Sequence, residues 1–196
     1  MVADKARFEE AIRRFDEINS EDPNQETVDG ISWPKEVLYA QRMTACLNRV
    51  APEASEPLQL AVRCQHIRRW AISRKDFPLG TLGYNQWRNK LKKYHAEIAG
   101  EILTQVGYDK ETVERVQFLV QKRQLKIDPE VQLLEDIICL VFLEYYFLEF
   151  AGQHPEGKVI DIVQKTWVKM TPQGQKLALQ LDLPAEALEL VGKALA

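Results

Sequence analysis

The sequence predicts an all-α protein, and three observations predict it. Apolar residues recur at three- and four-residue spacing through nearly the whole chain, and helix-start signals built on Pro, Ser, Asp or Thr precede most of these stretches. No strand pattern, internal repeat or heptad stands out. At 196 residues, with 45% hydrophobic and 28% charged, the chain has the size and composition of one ordinary globular domain, which excludes a low-complexity or disordered protein.

The elements follow in order. Residues 4–19 put Phe8, Ile12, Phe15 and Ile18 on one helical face, Ser20 to Pro23 end that helix, and a loop follows. Pro34 reads as a first-turn proline, ahead of a helix that carries Val37, Leu38, Ala45, Leu47 and Val50 up to Pro52. Ser55-Glu56-Pro57 opens a third helix that runs to about Ile72, and the loop SRKDFPLGTLGY then turns at Pro78, Gly80 and Gly83. A long helix from about Tyr84 to Val106 aligns Trp87, Leu91, Tyr94, Ile98 and Ile102, and Gly107 ends it. Asp109 caps a shorter helix to about Arg123. Asp128-Pro129 opens one that is apolar nearly all round from Leu133 to Phe150. Its longest apolar run, Ile137–Leu143, is too short to span a bilayer. The tail adds a helix with Val159, Ile160, Val163 and Trp167, another from Thr171-Pro172 and a last one from Pro184. The expectation is eight or nine helices around a buried central one at about 129–152. They form a single domain, 1–196, with its core at about 5–170 and residues 171–196 as an extension.

The N-terminus is charged throughout and lacks the pattern of a signal or transit peptide. Cys46, Cys64 and Cys139 are an odd set within apolar helical patterns, and read as buried thiols of a reducing compartment. A soluble, cytoplasmic protein without a membrane partner is expected. The net charge of −3 argues against general nucleic-acid binding, but between Arg63 and Lys93 nine Lys and Arg stand against one acid, Asp76.

Two histidines stand out inside apolar stretches, His66 in AVRCQHIRRW and His95 in KKYHAEIAGEIL. A lone histidine of this kind is more often a hydrogen-bonded core residue than a ligand. Glu135 and Asp136, however, lie on the most apolar helix, where a carboxylate must be neutralised by a cation, a hydrogen-bond network or a metal. His66, His95 and Asp136 would suffice for one divalent metal with open positions, Mn, Fe or Zn. An ion pair of Asp136 with Arg63 or Arg69 is the structural alternative. Cys64 is a poor fourth ligand, because i, i+2 on a helix points the two side chains apart. His154 reads as an exposed residue. Arg63, Arg69, Arg88 and Lys92 share helical faces with the histidines, and are the candidates to hold a phosphate or carboxylate; a solvated charged face is the bland alternative. Trp70 is a candidate stacking surface. The chain has no P-loop, paired CxxC, HExxH or GxSxG motif.

YAQRM, LQLAVRCQHIRRW, the DFPLGTLGY…WR…LKKYHAEIAGEIL stretch and LEDIICLVFLEYYF resemble, in order, the DUF4202 family over about residues 5–180. That resemblance implies no reaction. More remotely, the order of features is similar to the HD-domain metal phosphohydrolases. By that resemblance His66 falls on the His of the His-Asp doublet, His95 on a later helix-opening His and Asp136 on the late Asp, within an HD-domain-like bundle. The doublet's Asp is Ile67 here, and Tyr39 or Gln41 stands near the place of the first-helix His. The resemblance implies a degenerate HD-type protein that binds one divalent metal and a phosphorylated or other anionic small molecule, with phosphohydrolase chemistry in view. Gln41, Trp70 and Glu135 would support the site. The alternative is a non-catalytic helical binding module with a buried His/Asp network and a basic face that docks an acidic partner.

Overall fold

The computed structural model describes residues 2–196, with side chains from Lys5 onward, and the chain divides into two units, Met1–Arg123 and Gln124–Ala196. Ten α-helices and one two-stranded sheet make up the regular structure among the described residues, so the protein is all-α as its periodicity predicts.

The first unit begins with α1 (Val2–Ser20), followed by β1 (Gln25–Val28) and β2 (Ile31–Pro34). This hairpin stands where the sequence reading expects only loop. Its strands are only four residues each, too short to carry a clear apolar alternation; the signal is Asp29-Gly30, whose φ angles of 51° and 78° form the tight reversal between Val28 and Ile31. Pro34 closes β2 and caps α2 (Lys35–Val50) rather than lying inside it. The next helix, α3 (Glu56–Cys64), starts at the Ser55 cap, whose hydroxyl accepts from the Leu58 N–H.

α3 ends eight residues before the expected Ile72. Arg68 takes a left-handed φ of 53°, its N–H is drawn to Asn19 Oδ1 at 3.0 Å, and tight turns over residues 64–71 replace the helix. His66 therefore sits in a turn, not in a helix. A short 3-10 turn, Arg69–Ala71, and another, Arg74–Asp76, lead to α4 (Gly80–Val106), four residues earlier than expected. Gly83 allows that early start, since a Cβ there would stand 1.9 Å from the Pro78 carbonyl oxygen. Gly107, at φ 94°, ends α4, and the Asp109 carboxylate caps α5 (Lys110–Val120) at the Thr112 N–H. Phe15, Met43, Leu47, Leu58, Leu60, Ile67, Leu91, Leu103 and Leu119 form the core of this unit.

The second unit opens with α6 (Pro129–Val141), where Asp128 accepts from the N–H groups of Glu130 and Val131. A single π-turn, Phe142–Tyr146, then separates it from α7 (Phe147–Gly152), and this break of the expected central helix accounts for the tenth helix. α8 (Glu156–Trp167), α9 (Pro172–Ala178) and α10 (Ala185–Leu195) complete the unit around Leu134, Ile137, Phe147, Val159 and Val163. Cys46, Cys64 and Cys139 are all buried. No helix among the described residues is long and apolar enough to cross a membrane.

Candidate functional site

The first unit gathers three titratable side chains from three elements. Glu36 lies in the first turn of α2, which is tied down by the Asp22 carboxylate: Oδ2 accepts the Glu36 N–H at 3.1 Å, and Oδ1 accepts from Asn24. His66 comes from the turn after α3, and His95 from the middle of α4. His66 Nδ1 stands 3.4 Å from Glu36 Oε2, and the two imidazoles are 6.0 Å apart between centroids. Tyr39, one helical turn beyond Glu36, stacks on the His66 ring at 4.1 Å and 11°. His95 donates from Nδ1 to the Ile67 carbonyl at 2.7 Å. The break in α3 is what frees that carbonyl from a helical ladder, so the local backbone and the ring orientation are one feature.

The electrostatics follow from burial. His95 is pushed down to about 4, burial outweighing its bond to Ile67, and His66 lies well below its ordinary value for the same first reason, reinforced by Arg69, His95, Lys122 and Arg88. Both rings are neutral at neutral pH. With its proton on Nδ1, His95 presents the Nε2 lone pair, and that atom is buried without a hydrogen-bond partner. Burial raises Glu36 to about 7, with Asp22 and Glu26 adding to the rise and Arg69 and Lys35 opposing it. Arg69 Nε is 3.8 Å from Glu36 Oε1, and its guanidinium lies over the Trp87 ring at 4.7 Å. The half-buried His66 and Arg69 keep the group in reach of solvent.

The structure brings His66, His95 and Arg69 together. Arg88 acts on His66 through its charge while packing over Tyr84, and Lys92 is half-buried on α4. Arg63 is engaged elsewhere: it forms a two-pronged pair with Asp16 at 2.8 and 2.6 Å and reaches Thr44. The expectation that it flanks His66 needs a helix that has already ended. Gln41 and Trp70 are half-buried in the first unit. Asp136 and Glu135 belong to the second unit, both buried. There Asp136 accepts from the Thr171 N–H at 2.8 Å and hydroxyl at 2.5 Å, which fixes the start of α9. His154 is half-buried, donating from its ring to the Phe150 carbonyl and stacking on Phe150. Sequence reasoning missed Glu36 and Lys122. A first-turn acid is commonplace, and only the neighbouring Tyr39, noted in the place of a missing histidine, pointed toward this segment.

Chemically, two neutral imidazoles beside an arginine can accept hydrogen bonds from ligand hydroxyls while the guanidinium takes oxyanion oxygens. Among the described residues no group of three His, Cys, Asp or Glu side chains is arranged to hold a metal. A surface hollow of about 450 Å³ between α4 and α5, with Glu97, Gly100 and Glu101 in its lining, contains none of these groups.

The fold and site thus define an all-α protein with a histidine pair, His95 buried and His66 half-buried, in a locally cationic setting. A family model described as a domain of unknown function, DUF4202, matches residues 9–191, and the chain belongs to that family. No curated protein and no solved structure matches the chain.

Proposed function

We propose that the first unit binds an anionic small molecule, best matched by a phosphorylated one, at the His66–His95 site. The observation that carries this reading is the buried, unpartnered Nε2 of His95 in a setting where positive charge predominates. An orphaned buried acceptor costs about 1–3 kcal/mol, which a ligand hydroxyl would recover. Arg69, oriented by Trp87, takes the phosphate oxygens; Arg88 and Lys92 add attraction. The odd number of cysteines, all buried, suits a reducing compartment, and we assign the protein to the cytoplasm. The test is thermal unfolding with inorganic phosphate and with sugar and nucleoside phosphates. A rise in Tm that His95→Ala removes supports the reading, and no rise with any of them rejects it.

One observation favours a second reading, that of a metal-dependent phosphohydrolase like the HD-domain proteins. With Nδ1 of His66 toward Glu36 and Nδ1 of His95 on a carbonyl, each Nε2 is left for a ligand, the orientation that outer-shell partners impose on metal-binding histidines. One divalent ion, Mn, Fe or Zn, would supply a bound water of lowered pKa. His66 and His95 would hold it, with Glu36 orienting His66 and the anion's own oxygens completing the shell; Asp136, committed to Thr171, is left out. Metal analysis of protein purified without a chelating tag decides this: content near zero with no uptake of added Mn, Fe or Zn counts against it, and leaves a non-catalytic binding module.

A further inference from the structure

The loop before α4 and the first turns of that helix display apolar side chains on a braced frame. Leu79 is 95% exposed and Leu82 72% exposed, with Tyr84 also at the surface. Such exposure would ordinarily belong to a mobile tip, but here the backbone is tied. The Arg74 guanidinium donates to the carbonyls of Phe77 and Pro78 at 2.9 Å each and approaches that of Gly80 at 3.5 Å. The backbone of Gly83 packs directly on the Pro78 carbonyl. Lys90 lies over the Phe77 ring at 5.8 Å, and Lys75 is exposed beside it. Lys93 stands on the same helical face as Leu82 and Lys90, and Asp76 is the lone acid in the stretch.

We propose that this loop docks on an anionic phospholipid surface, with Leu79 and Leu82 entering the interface and Lys75, Lys90 and Lys93 at the headgroups. This contact is independent of the histidine site, and it is a surface contact rather than a span.

Three features favour lipid over an acidic protein. Leu79 and Leu82 stand out largely exposed within a basic stretch that holds Asp76 as its one acid, and apolar side chains flanked by lysines suit an anionic lipid interface. The carbonyls of the tip are already satisfied by Arg74, so entry into a medium that offers no hydrogen bonds leaves them paired. Finally, Leu79 is the cap residue of α4 and makes no side-chain cap, so the first N–H groups of a 27-residue helix stay open to lipid phosphates at the depth of the headgroups.

Co-sedimentation with vesicles tests the proposal, using phosphatidylcholine alone and phosphatidylcholine with phosphatidylserine. Binding is expected to the mixed vesicles only, and to weaken with salt. Leu79→Ser with Leu82→Ser, both at exposed positions, should weaken binding by about a hundredfold. Lys75→Gln with Lys90→Gln should weaken it by about thirtyfold, from about 1 kcal/mol per lysine. Arg69→Lys should bind vesicles as the parent does, which separates this result from that of the anion site. No binding to the mixed vesicles would overturn the proposal, as expected if the tip meets an acidic protein instead. Binding that survives loss of both leucines would overturn it too, by showing adsorption through charge alone.

Discussion

Glu36→Gln isolates the cost of the buried carboxyl beside His66. Glutamine keeps the shape and removes the titration, while the Glu36 N–H bond to Asp22 belongs to the backbone and is untouched. In the folded protein Glu36 titrates near 7 against an ordinary value of 4.5, so between those values the folded state holds a proton that the unfolded state has released. Stability from this group is therefore complete below about pH 4.5 and is lost as pH rises through about 7. At about 1.4 kcal/mol per pH unit, the loss amounts to about 3 kcal/mol for a side chain this buried. The histidines work in the opposite direction, their depressed values costing stability as pH falls below 6.5; repeating the comparison in a His66→Gln background removes the one titrating ring that touches Glu36. Denaturant unfolding at pH 5 and pH 8.5, followed by the fluorescence of Trp33, Trp70 and Trp87, should show wild type falling relative to Glu36→Gln by about 2–3 kcal/mol between the two conditions. Parallel pH dependences in the two proteins would refute the assignment of Glu36 as a carboxyl held neutral by burial.

Three further substitutions probe the frame. Asp136→Asn weakens the charge-assisted bonds to Thr171 and should cost about 1.5–3 kcal/mol, read from urea unfolding followed at Trp167 in the second unit. Gly83→Ala forces a Cβ onto the Pro78 carbonyl, and should lower stability by about 1–3 kcal/mol and raise proteolysis at residues 77–83. Gly30→Ala places a side chain at φ 78° in the hairpin turn; a loss of about 1 kcal/mol is expected, and an unchanged Tm would mean that the hairpin contributes little.

Most of the helical architecture was legible because caps and periodicity agree. Ser55, Asp109, Asp128 and Thr171 each accept backbone N–H groups at the starts read for them, and Gly107 stops α4 where expected. The missed hairpin has a local signal in Asp29-Gly30, but at the end of α3 tertiary contacts overrode local pattern. The apolar spacing from Leu58 through Ile67 to Trp70 favours one continuous helix, yet Asn19 and His95 capture the Arg68 N–H and the Ile67 carbonyl and hold a turn instead. No local signal reports a partner 49 residues away. The same break decides how much of the site was legible. His66 and His95 were found as polar residues in apolar stretches, and they do converge. On the apolar central helix the buried Asp136 takes hydrogen bonds from the Thr171 N–H and hydroxyl. The acid that meets His66 is Glu36, one of many first-turn acids until the fold buries it.

The most direct test of the central claim is calorimetric titration of the wild-type protein and Arg69→Lys with phosphorylated small molecules, alongside their melting temperatures without ligand. Lysine keeps the charge and loses the planar fork, so if Arg69 grips a phosphate at the histidine pair, affinity should fall by about 1–3 kcal/mol, roughly five- to 150-fold, while Tm stays near that of wild type. If wild type binds none of these compounds, and Arg69→Lys melts early because the arginine serves only Glu36 and Trp87, the anion-site account is contradicted.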